Sequence, residues 1–148
     1  MQTERSPRMR FIWKAVISLA TIFYGLVPAI ADLNETHLFH PGWSAHARVH
    51  GAWFLGFGAG MAGLSLFLTW RRDDARLAAV IGLLFAAAFW LAYLTSGLYG
   101  GSLVDEGGVE AQILGLDANL AVFSVLLVVF LAAAIGVGRG GADCGSGA

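Results

Sequence analysis

The stretch Gly51-Ala-Trp-Phe-Leu-Gly-Phe-Gly-Ala-Gly-Met-Ala-Gly-Leu-Ser-Leu-Phe-Leu-Thr-Trp70 carries no charged residue over its whole length. A helix needs about 20 predominantly apolar residues to cross the ~30 Å hydrocarbon layer of a bilayer, and this run meets that length. Three other segments have the same character. Phe11 to Ile30 is interrupted only by Lys14, Leu77 to Gly100 is uncharged, and Ala118 to Gly138 has Asn119 as its one strongly polar residue. The whole chain of 148 residues is 57% hydrophobic and only 13% charged, where soluble domains carry about 25%. Lipid is therefore the main solvent.

The expected fold is all-α: a polytopic membrane protein built as a four-transmembrane-helix bundle. An N-terminal tail covers residues 1–10. One domain covers 11–138, with spans at about 11–31, 50–70, 77–100 and 117–138. Residues 139–148 are Gly/Ser-rich and read as a disordered tail. A cleaved signal peptide is the competing reading of the first span. Its apolar run is full length and Pro28-Ala-Ile-Ala31 is a weak cleavage site, so retention as an anchor is preferred. Pro28 is expected to kink or loosen the end of that helix. Beyond the break at Gly107-Gly108, Val109 to Leu116 can start the fourth helix early.

Charge placement supplies the orientation. Arg5, Arg8, Arg10, Lys14, Arg71, Arg72, Arg76 and Arg139 are eight of the nine basic residues, and all fall on one side of the threaded bundle. Basic loops stay cytoplasmic. Both termini are then inside, and the 32–49 segment and the 101–117 loop outside, with the plasma (inner) membrane as the expected location. The net charge of −1 says little, and no nucleic-acid partner is expected. No charge is buried mid-membrane, which argues against an ion-coupled carrier. Cys144 stands alone in the tail and has no partner for a disulfide.

All four histidines, His37, His40, His46 and His50, lie in one short window. Pro41-Gly42 signals a turn, and Ser44 is a good N-cap for the second helix. His46 and His50 are then four apart on one helical face, a spacing that can hold a single metal ion. The turn offers a way for His37 and His40 to fold back over that pair. Asp32, Glu110 and Asp117 are the acids expected to complete a site, since the topology gathers Asp32, Glu35, Asp105, Glu106, Glu110 and Asp117 on the same side. Zinc, iron and copper all accept neutral imidazole. Two other readings stay open: interfacial histidines bonded to headgroups and backbone, and a proton-sensing or proton-relay group.

Below the window, the expected ligand pocket is walled by Trp53, Phe57, Trp90 and Tyr93. Ser96, Tyr99, Asn119 and Arg48 stand at its mouth. Apolar depth with a polar rim suits a lipophilic small molecule. Arg48 reads as a snorkelling interfacial cation or as a partner of an acid such as Glu35. Asn34-Glu35-Thr36 matches a glycosylation sequon, but a turn-forming Asn34 is preferred. Gly56 and Gly60 have the small-xxx-small spacing that lets helices approach, and a homodimer is plausible at this size.

Asn34-Glu35-Thr36-His37 and Pro41-Gly-Trp-Ser-Ala-His-Ala-Arg-Val-His50 form an N-x-T-H element followed by a P-x-W-x-x-H-A-R-x-H element. This pattern resembles a family of small, uncharacterised four-helix membrane proteins. The resemblance implies the fold and places the functional segment at these two elements; it implies no reaction. His40 lies outside both and ranks below His37, His46 and His50.

Overall fold

The structure is a computed structural model that describes residues 6–104 and 111–138. Helix α1 spans Pro7–Ala31, α2 Ala45–Arg71, α3 Ala75–Thr95 and α4 Ala118–Gly138. A single 3-10 turn, Ser96–Leu98, follows α3. All four helices are long and apolar enough to cross a membrane, so the architecture is the expected transmembrane bundle. Residues 105–110, with Glu110 among them, and the 139–148 tail with Cys144 lie outside the described residues.

Each helix begins where a side chain can accept its unpaired N–H groups. The Ser6 hydroxyl accepts from Met9, and Pro7 sits at the first helical position, where its missing N–H costs nothing. This cap extends α1 four residues ahead of the apolar run that defines its span, so residues 7–10 are helix rather than frayed tail. Ser44 accepts from the Ala47 N–H at 3.1 Å and starts α2. Asp74 accepts from Leu77 at 3.0 Å and starts α3. Asp117 accepts from Asn119 at 2.8 Å and Leu120 at 3.0 Å, placing a carboxylate at the positive end of α4.

Residues before α4 depart from the expected early helix. Gln112–Ile113 and Leu116–Asp117 pair as a two-residue antiparallel hairpin. Leu114 and Gly115 both have positive φ, 54° and 81°, the signature of a tight hairpin turn of the I′ type. Hydrophobic pattern reads this stretch as a helix entry. Gly115 supplies the left-handed backbone that stops it, and Leu114 adopts the same region at a steric cost.

The core lies between all four helices. Tyr24 of α1 stacks on Phe85 of α3 at 4.7 Å and meets the Phe130 ring of α4 edge-on at 5.8 Å. Its hydroxyl shares a 3.0 Å hydrogen bond with Ser65 of α2, so a buried polar group is satisfied across two helices. Close approach depends on Gly25, where a Cβ would collide with Ala62, and Gly82, where it would enter the Phe130 ring. The Gly56/Gly60 pair plays no such part within the chain. Cβ atoms at Gly56, Gly60 and Gly63 would meet nothing within 4 Å, because α2 packs inward through Leu55, Gly58, Ala62, Ser65 and Thr69.

Candidate functional site

The histidine window divides into three local environments. In the first, the Asn34 side-chain oxygen Oδ1 accepts from the Thr36 N–H, the Thr36 hydroxyl and the His37 N–H, each at 2.9 Å. Its amide donates to Ala31 O at 2.7 Å. Asn34 is thus the turn residue that ends α1. The His37 Nδ1 is held here, 2.9 Å from the Thr36 hydroxyl and 3.2 Å from Asn34 Oδ1. Asp32 stands at the same corner, half-buried. Burial pushes its carboxyl above the usual carboxylate range, and the nearby His37 charge partly offsets the rise.

In the second, the Gly42 N–H donates to His40 Nδ1 at 3.1 Å. The Arg48 guanidinium reaches back from α2 and donates through Nη2 to His40 O at 3.0 Å and Pro41 O at 3.5 Å. Its Nε is buried with no hydrogen-bond partner among the described residues. Arg48 therefore fastens the Pro41-Gly42 turn to the second helix, and among the described residues no ion pair with Glu35 forms.

The third environment is the pair. His46 Nε2 and His50 Nε2 are 3.1 Å apart, their rings crossing edge to face at 4.6 Å. Both side chains are exposed. The His50 ring lies 6.0 Å from that of Trp53, and Trp53 and Phe57 continue down the same face, 68% and 56% exposed.

His37 and His40 do not fold over this pair. Among the described residues, no three of the His, Cys, Asp and Glu side chains come together as a group that could hold a metal ion. The reason lies in where the connecting segment docks. Leu38 is buried, and Leu38 and Trp43 pack against Gly51. Successive residues on a helix are about 100° apart, so the loop sits on a face of α2 turned that far from His50. Asp117 is occupied in capping α4.

The expected pocket residues come from α2, α3, the 3-10 turn after it and the start of α4. Trp53 and Phe57 look outward from α2. On α3, Trp90 and Tyr93 meet edge to face at 5.8 Å, and the Trp90 Nε1 is buried without a hydrogen-bond partner among the described residues. The Tyr99 hydroxyl donates to Ala92 O, Ser96 lies in the 3-10 turn that follows α3, and Asn119 is exposed at the start of α4. A groove of about 310 Å³ occurs instead between α1 and α4, lined by Leu19, Phe23, Ile113, Val122, Val125 and Val129 among others, with almost no polar surface. Apart from Ile113 of the hairpin, these are ordinary membrane-helix side chains, and nothing in the sequence distinguishes them from residues facing lipid.

Bundle and site together define a four-helix membrane protein with a pair of exposed imidazoles on the first turns of its second helix. The chain belongs to the family of unknown function DUF6640, whose pattern matches residues 16–143. No curated protein and no solved structure matches it.

Proposed function

We propose that this is an integral membrane metal-binding protein that holds a transition-metal ion, zinc, iron or copper, between His46 and His50 at its outer face. The observation that carries the reading is the 3.1 Å separation of the two Nε2 atoms. An ion 2.0–2.1 Å from each nitrogen would subtend an angle of about 100° across that gap, close to tetrahedral. The pair needs little movement to exchange its shared proton for an ion, and protons compete with the metal for it. His37 and Asp32 stand at the separate Asn34 corner and supply no donor in this reading, and Glu110 lies outside the described residues.

The exposed Trp53 and Phe57 lie directly below the pair, so a molecule meeting the ion would come from the bilayer. Any substrate is then a lipophilic small molecule, and the ion serves as a Lewis acid or a redox centre. Metal analysis of the purified protein beside His46→Ala/His50→Ala tests this. Wild type is expected to retain zinc or copper after dialysis, and the variant to lose at least about tenfold in affinity. Equal retention by the two proteins would remove the proposal.

A second reading rests on the α1–α4 groove. Its volume and near-absence of polar lining suit an alkyl or isoprenoid chain, which supports a non-catalytic lipophilic-ligand module. Photocrosslinking by an alkyl diazirine probe at Phe23 and Val125, competed by lipid of matching chain length, would support it; labelling spread evenly over all four helices would not.

A further inference from the structure

We propose that two copies of this chain share one metal ion, each contributing its His46–His50 pair to a four-imidazole site on a two-fold axis. The inference rests on the metal reading above and deepens it by naming the missing donors.

The described residues of one chain supply half a coordination shell. Among the described residues, no third His, Cys, Asp or Glu joins the pair, whereas a tetrahedral ion asks for four ligands. The helix that carries the pair has the pattern of a contact seam. His46, His50, Trp53, Phe57, Gly60 and Leu64 follow alternating steps of four and three residues, the spacing by which one helix presents a continuous stripe to a parallel neighbour. Every one of them is exposed. At Gly60 a side chain would meet nothing within 4 Å of the same chain, which leaves room for a neighbouring helix to come close.

The bilayer selects a second copy as the occupant. Two chains inserted in the same sense place His46 and His50 at the same depth. A two-fold axis along the membrane normal then brings pair against pair in a self-complementary contact. Arg71, at the far end of this helix face, would meet its own copy. Its long stem can carry the guanidinium away to headgroups, so it asks only that the helices diverge there. Four imidazoles close a tetrahedral zinc site, giving that ion a role in assembly; an octahedral ion would keep two positions for other ligands.

The test uses the full chain in detergent, with zinc as the probe, reading mass by light scattering and metal content on the same fractions. Half an ion per chain on a dimer is expected, with chelation weakening the dimer at least about tenfold. Gly60→Leu keeps both histidines and fits the isolated bundle, and it is expected to lower dimer and zinc occupancy together. One ion per chain, on a monomer or on a dimer, overturns the shared site while leaving the metal-binding reading intact; a carboxylate of the same chain or water then completes the shell. No zinc bound by wild type overturns both.

Discussion

At the arginine end of the bundle, Asp73 stands in a left-handed turn between α2 and α3 and takes ion pairs from Arg10 and Lys14 of α1. At the histidine end, Arg48 reaches to two backbone carbonyls instead of an acid. Both arrangements tie a turn to a helix, but their energetics differ. Asp73 and Arg10 are more than half exposed, and exposed pairs contribute about 0–1 kcal/mol and are screened by salt. Arg48 is partly buried, and its charge-assisted bond to the His40 carbonyl, shielded in part from water, is worth more, whereas the 3.5 Å contact to Pro41 is exposed. The difference leaves the two ends with different sensitivities. One responds to pH and salt; the other responds to the shape of a single side chain, and spends its cation on the loop rather than beside the exposed imidazoles.

Arg48→Met is the substitution expected to do most to that contrast. It keeps the apolar stem and removes the donors, leaving the His40 and Pro41 carbonyls without their cation. Hydrogen bonds to charged groups are worth about 1.5–3 kcal/mol, so stability should fall by that order. Amide exchange across 37–43 should rise first. Arg48→Lys should recover part of the loss, since a single ammonium lacks the planar fork. Unchanged exchange in Arg48→Met would mean that the turn is held by Leu38 and Trp43 alone.

Asp73→Asn should cost less, below about 1 kcal/mol. Lys14 and Arg10 hold the Asp73 carboxyl below its ordinary value of 3.8, the hydrogen bond from Lys14 contributing most. A lowered folded value means that the unfolded chain binds the proton more tightly. The stabilisation is therefore complete above the ordinary carboxylate range and disappears as pH falls through the lowered folded value. Wild type should lose its advantage over Asp73→Asn in acid, and most of it in high salt at neutral pH. An advantage that persists in both conditions would show that packing, not charge, holds this end.

The sequence makes much of this comparison legible. Uncharged runs of about 20 residues fix the helices because hydrocarbon leaves few alternatives for the backbone. Ser44 and Asn34 announce a helix start and a turn through side chains that bond their own neighbours. What stayed hidden depends on direction around a helix. Gly58 and Gly60 are two residues apart and compositionally alike, yet one faces Phe85 and the other open space. Whether His37 met His46 hinged on which face of α2 Leu38 chose, and that choice followed the opening left by Gly51. Periodicity also misreads 112–117, where the handedness of Leu114-Gly115 decides between hairpin and helix.

The smallest effect should come from Asp32→Asn, and its sign is opposite to that at Asp73. Asp32 is half-buried beside His37, whose charge offsets only part of the burial of its carboxylate. Burial raises its folded value, so the folded chain holds the proton more tightly than the unfolded one. The ionised carboxylate therefore costs stability above the raised value, and the cost fades as pH falls through it. Asparagine removes the charge while preserving shape, and the backbone bonds of residue 32 to Pro28 and Leu38 need no side chain. Thermal unfolding of Asp32→Asn near neutral pH should show a gain of at most about 0.5 kcal/mol, vanishing in mild acid. A loss instead would assign the Asp32 carboxylate a ligand or proton partner at the histidine end, and would move Asp32 and His37 from the loop's architecture into its chemistry.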